Sequence, residues 1–147
     1  MPRARRSRVV RATPDAVWRI VGDPNHLPRY WPKVERVERV EGDAFTKVFL
    51  TKNGRAVRAD FRVASVDAAA RERSWEQVLE DTPFERFLHA VSEGARVEPA
   101  PDGAGGARVT LETRQKLRGI GKLGGFLARR GAKRQLDEAL DGLERLL

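Results

Sequence analysis

Leu136-Asp137-Glu138-Ala139-Leu140-Asp141-Gly142-Leu143-Glu144-Arg145-Leu146-Leu147 closes the chain. Leu136, Ala139, Leu140, Leu143 and Leu147 recur at three- and four-residue spacing, which makes one face of an α-helix apolar. Asp137, Glu138, Asp141, Glu144 and Arg145 fill the other face. A leucine-striped helix needs an apolar surface to lie on, and the residues before it alternate like the strands of a curved antiparallel sheet. The helix is expected to close that sheet's concave side, over either a packed core or a cavity.

Immediately upstream, Ile120, Leu123, Phe126 and Leu127 point roughly opposite to that stripe, at about 100° per residue. One straight helix cannot bury both faces on the same sheet. Gly119, Gly121, Gly124, Gly125 and Gly131 offer a break, because glycine costs about 1 kcal/mol relative to alanine in a helix interior. Regular helix is expected from near Gly125, after a lead-in that either packs on a neighbouring edge or forms an apolar flap at a pocket mouth.

The rest of the chain is punctuated clearly. Residues 3–11 end in Val9-Val10 and read as a first strand. Thr13-Pro14-Asp15 is a helix start, with a capping hydroxyl, a proline suited to the first turn and an acid at the positive end of the dipole. That helix ends at Gly22, and Asp23-Pro24 begins a second short one through Tyr30-Trp31, stopped by Pro32. Six strands follow, with turns at Glu41-Gly42-Asp43 and Lys52-Asn53-Gly54. They are expected at Val34–Val40, Phe45–Thr51, Val57–Val63, Arg71–Glu80, Phe84–Val97 and Ala107–Leu117, the last alternating most cleanly.

At 147 residues this is expected to be one domain over 1–147, large enough to bury roughly two-thirds of its unfolded surface. No apolar run approaches the ~20 residues of a membrane span, and the N-terminus lacks a secretory signal's apolar core. The absence of cysteine excludes disulfide and thiolate chemistry, and a cytoplasmic setting is expected. Abundant alanine, arginine and glycine against scarce lysine suggest a GC-rich bacterial gene.

The net charge of +8 is unevenly spread. Residues 1–14 carry five arginines and residues 113–136 carry eight bases, neither with an acid, so the remainder has a net charge of −5. Two readings follow: ordinary solvated faces, or a surface for an anionic membrane or an acidic protein. Nucleic acid is the poorer partner, since the exposed aromatics on which bases stack are lacking.

The wording Val10-Arg11-Ala12-Thr13-Pro14-Asp15-Ala16-Val17-Trp18, then Val21-Gly22-Asp23-Pro24 and Leu27-Pro28-Arg29-Tyr30-Trp31-Pro32, resembles the START/polyketide cyclase-like superfamily, the helix-grip or SRPBCC fold. The turn at Gly103–Thr110 and the terminal helix extend the resemblance over nearly the whole chain. It implies an α+β fold in which a seven-stranded antiparallel sheet grips the long C-terminal helix around an apolar cavity. The superfamily holds lipid carriers, hormone receptors, coenzyme Q-binding proteins and aromatase/cyclases, so it implies a small hydrophobic ligand such as a lipid, polyketide or quinone-like molecule.

Catalytic constellations are missing. His26 and His89 lie in separate elements without metal-ligand spacing, and no Gly-x-Ser-x-Gly, P-loop or dinucleotide fingerprint occurs. No metal, cofactor or catalytic residue is therefore assigned. Candidate ligand-binding residues are Trp31, Phe49, Phe61, Trp75, Phe87, Leu111, Phe126 and Leu140, each taken singly more readily read as plain core, with His89, Arg73 and Gln77 as polar groups. A carrier or sensor needs only the cavity and a movable entrance and is the favoured reading; a cyclase or dehydratase needs an acid/base group as well, and a binder of polyanionic surfaces would use the arginine patch instead.

Overall fold

Alternating segments and glycine turns build one sheet, seen in a computed structural model that describes residues 3–119 and 122–147. Its strands are β1 (Arg3–Val10), β2 (Val34–Glu41), β3 (Ala44–Leu50), β4 (Ala56–Asp67), β5 (Glu72–Gln77), β6 (Leu88–Pro99) and β7 (Ala107–Leu117). They pair antiparallel in the order β1-β7-β6-β5-β4-β3-β2, so the first and last strands in sequence are neighbours. Two short helices, α1 (Pro14–Val21) and α2 (Leu27–Tyr30), link β1 to β2, and a long helix, α3 (Lys122–Leu146), follows β7. This is the helix-grip fold.

The helix starts are as the local chemistry requires. Thr13 accepts the Ala16 N–H at 3.2 Å with Pro14 in the first turn, and Asp23 accepts the Asn25 N–H at 2.9 Å to begin the 3-10 turn that leads into α2. Most of the α3 stripe is buried as its spacing demands, Leu136, Ala139, Leu140 and Leu143 joining Ala4, Val10, Val109 and Leu111 in the core, but Leu147 lies beyond the helix end at Leu146 and is exposed. On the outer side of the same helix Asp137 pairs with Arg6, and Asp141 and Glu144 pair with Arg8, tying α3 to β1. Gly142 lets α3 approach α2, since a Cβ there would lie 2.6 Å from the Tyr30 carbonyl oxygen.

Several boundaries differ from the sequence reading: β4 runs on to Asp67, β5 stops at Gln77, and two further shifts bear on the site. α3 begins at Lys122 rather than near Gly125, because adding residues to an established helix is favourable enough to carry Gly124 and Gly125. The conflict of apolar faces is resolved without a break: Phe126 and Leu127 stay exposed. Ile120 and the side chain of Leu123, part of the same lead-in, lie outside the described residues. The expected strand at Phe84–Val97 starts only at Leu88, because Pro83 opens a 3-10 turn over Pro83–Arg86.

Candidate functional site

Inward positions of β3, β5 and β6 carry charge where alternation would place apolar groups. Lys47 follows Phe45 on the inner face of β3, Arg73 precedes Trp75 on β5, and Glu93 lies between Val91 and Ala95 on β6. The register makes Trp75, Glu93 and Thr113 one cross-strand row. All of these side chains are buried, Lys47 to 1 % exposure.

Glu93 is the hub. One of its oxygens, Oε1, accepts from Lys47 Nζ at 2.6 Å and from Trp75 Nε1 at 2.8 Å. The Lys47 ammonium also sits 4.7 Å from the Trp31 ring centroid and 4.5 Å from that of Phe61, which gives a desolvated cation two π-faces. The Arg73 guanidinium lies 3.4 Å from the Trp75 ring centroid and donates from Nε to the Val21 carbonyl at 3.1 Å. Phe45 stacks on Phe61 at 5.4 Å and meets Trp75 edge-on at 5.0 Å, forming an aromatic wall on one side. Tyr30, at the end of α2, completes the group.

Burial governs the protonation of these groups. It pushes the Tyr30 phenol above its ordinary value, with the Arg73 charge opposing. It pulls Lys47 down, against the pull of Glu93, and lowers Arg73 likewise, against Tyr30 and Glu93. Five buried polar atoms lack a well-aligned hydrogen-bond partner among the described residues, Tyr30 Oη, Trp31 Nε1, Arg73 Nη2, Gln77 Nε2 and Thr113 Oγ1, although the Tyr30 oxygen lies near enough to Arg73 to accept from it, which still leaves the phenol's own O–H unmet. Every one of them can donate a hydrogen bond. Unmet buried donors cost about 1–3 kcal/mol each, so their concentration here is expensive for stability alone.

Of the residues singled out from sequence, Trp31, Phe61 and Trp75, with Arg73 and Gln77, come together in this cluster. Leu111 and Leu140 are buried in the apolar core. Phe49 is half-buried where β3 pairs with β2, opposite Val34. Phe87, Phe126 and His89 face solvent, not the interior. Phe87 is displaced by the Pro83 turn, and Phe126 lies off the buried stripe of α3. His89 sits at the register irregularity opening β6; partial loss of water, then Arg118 and Lys116, lowers its pKa. Sequence reasoning missed Lys47, Glu93, Tyr30 and Thr113. The signal for the first two was a lone charge within Phe45-x-Lys47-x-Phe49 and within Val91-x-Glu93-x-Ala95.

Two open grooves lie elsewhere. One of about 520 Å³ crosses the convex face of the sheet between Arg5, Ser74, Arg96 and Arg114, and one of about 510 Å³ lies by the β6–β7 turn at Val9 and Gly105. The apolar cavity expected beside Phe61 and Trp75 corresponds to neither; those rings pack on Phe45 and on the two buried cations. Among the described residues no three His, Asp or Glu side chains gather to hold a metal ion, and no helix is long and apolar enough to cross a membrane.

Residues 1–147 match the family model described as polyketide cyclase / dehydrase and lipid transport. The di-domain ARO/CYC protein BexL of the BE-7585A biosynthetic pathway is similar in structure, with a TM-score of 0.78 at 27% identity over 99% of this chain and 46% of that one. This chain thus spans about half of that two-domain protein. A protein from Thermus thermophilus has a TM-score of 0.71 at 24% identity over 98% and 95% of the two chains. A START superfamily protein from Mycobacterium smegmatis has a TM-score of 0.75 at 11% identity over 97% and 94%. No curated protein matches in sequence.

Proposed function

The chain belongs to the polyketide cyclase / dehydrase and lipid transport family, and from that premise we propose that it binds a small hydrophobic molecule bearing several carbonyl or hydroxyl oxygens. The observation that carries this reading is the set of five unpartnered donors around the Lys47–Glu93 pair. Donors call for acceptors, and the neighbouring Trp31, Phe61 and Trp75 rings call for a flat apolar skeleton. Arg73 Nη2 and Tyr30 Oη are the anchoring donors, with Gln77 and Thr113 reading further oxygens. Seating the molecule requires the aromatic side chains to move apart.

One feature favours a cyclase over a carrier. Arg73, a fixed cation, and Tyr30, kept protonated by burial, are an anion stabiliser and a proton donor side by side. In such a step a methylene flanked by two ketones, acidic enough to lose its proton to water, becomes an enolate beside the Arg73 cation, and its carbon attacks a further ketone of the same molecule. The new carbon–carbon bond leaves an alkoxide, which Arg73 holds and the Tyr30 proton neutralises. The phenolate recovers its proton from solvent. BexL, an ARO/CYC protein, lends this reading support.

Native mass spectrometry of freshly purified protein, then titration with a hydroxylated anthraquinone followed by tryptophan quenching, tests the proposal. A retained small molecule, and probe affinity at least about tenfold weaker in Arg73→Gln, are expected from losing a charged hydrogen bond. Probe binding equal in the variant, with nothing retained by the wild type, would refute it. A retained poly-β-ketone converted to a ring on standing would favour the cyclase.

A further inference from the structure

Away from the interior, the first half of α3 combines three features that folding stability does not explain. Large apolar side chains point into solvent: Phe126 is 59 % exposed, Leu127 56 % and, nearby, Phe87 64 %. Phe87 belongs to the same end of the molecule, since its carbonyl accepts the Arg118 N–H at 2.9 Å and α3 starts four residues later. Those four residues reach at most about 14 Å.

The second feature is charge. At about 100° per residue, Phe126, Leu127, Arg130, Lys133 and Arg134 fall within roughly 120° of arc beside the buried stripe. Residues 113–136 contain no acid. The bases along β1 are matched by contrast, Arg5 to Glu112, Arg6 to Asp137 and Arg8 to Asp141. Among the described residues, Lys116, Arg118, Arg130, Lys133 and Arg134 have no ion pair at all.

The third is polarity. The first turn of α3 carries no acid, its bases gather toward the N-terminal half, and Asp137, Asp141 and Glu144 lie toward the C-terminus. That order opposes the helix macrodipole. We propose that this end of the molecule, Phe87, Phe126 and Leu127 ringed by Lys116, Arg118, Arg130, Lys133 and Arg134, docks on an anionic lipid bilayer. The apolar side chains insert at the level of the acyl boundary while the bases meet lipid phosphates. A bilayer suits this surface better than an acidic protein does, because the three apolar groups are projections, Phe87 after the Pro83–Arg86 turn and Phe126 and Leu127 on α3, and not the walls of a groove. Neither of the two grooves described above includes any of them.

The test needs no ligand and so stands apart from the reading of the interior. Full-length protein is sedimented with vesicles of phosphatidylcholine alone, and with phosphatidylglycerol added, at low and moderate salt. Two variants are compared, Phe126→Ser with Leu127→Ser, and Arg130→Ser with Lys133→Ser and Arg134→Ser. Unchanged circular dichroism establishes that each is folded. Wild type is expected to sediment only with the anionic vesicles and less at higher salt, and each variant to partition at least about tenfold more weakly. Failure of wild type to sediment, or indifference to lipid charge, would overturn the proposal. So would loss in the arginine variant with none in the Phe126/Leu127 variant, which would identify a purely ionic surface suited to an acidic protein.

Discussion

Two parts of one interior are built on opposite principles. Beneath α3, Leu136, Leu140, Leu143, Val109 and Leu111 fill the space with groups that need no partner. Beneath α1 and α2, Lys47, Arg73 and Glu93 are as deeply buried, yet every gain there is set against desolvation. A protein under selection for stability alone has no use for the second arrangement, since well-packed apolar residues of similar volume would do as well. The apolar half holds the fold together; the charged half carries the donors on which the proposed binding rests.

The sharpest way to break this comparison is to unbalance the charged half. Lys47→Met leaves the Glu93 carboxylate buried beside Trp75 without its cation, and a loss of about 3–5 kcal/mol in urea unfolding is expected. Adding Glu93→Leu should recover most of it, because both charges are then gone. If the single variant unfolds like wild type, or the double variant is as weak as the single, the pair is not the buried couple its 2.6 Å contact implies.

A cut in the apolar half behaves differently. Leu140→Ala removes a fully buried side chain facing the sheet, and a loss of about 3 kcal/mol is expected from transfer and cavity together. No second substitution among its polar neighbours should restore it. Anthraquinone affinity, corrected for the unfolded fraction, should change far less than in Arg73→Gln. Comparable losses of affinity in both would place the ligand under α3 instead.

The two halves were unequally legible from sequence. Helix starts such as Thr13-Pro14-Asp15, alternation along 107–117 and the Leu136 stripe are local signals, and the fold follows from them. The charged half depends on register. Lys47 lies in Phe45-Thr46-Lys47-Val48-Phe49, where both faces of the strand are buried and alternation is blind. Glu93 meets Trp75 and Thr113 only through pairings across three strands, one of them irregular at its start. Tyr30 is buried by an approach that hangs on Gly142, more than a hundred residues away. Phe87 and Phe126 illustrate the converse: aromatic residues read as core until a proline turn and an unbroken helix leave them outside.

The smallest effect is the most selective, because Tyr30 is the chain's single tyrosine. Its phenolate band in the near ultraviolet therefore reports one buried hydroxyl with no background from other phenols. Burial raises its pKa above 10, and Arg73 opposes that rise. A raised value in the folded state means that folding favours the protonated phenol. Its contribution to stability is thus fully present below pH 10 and is lost as pH climbs through the folded value. Native protein is expected to show the band only above pH 10, whereas urea-unfolded protein shows it at the ordinary value. Arg73→Gln removes the opposing charge, so the native midpoint should move higher still, and bound anthraquinone accepting a hydrogen bond from the phenol O–H should do the same. A native midpoint at or below the unfolded one would mean that Tyr30 is open to water, and the proton donor of the proposed site would be lost with it.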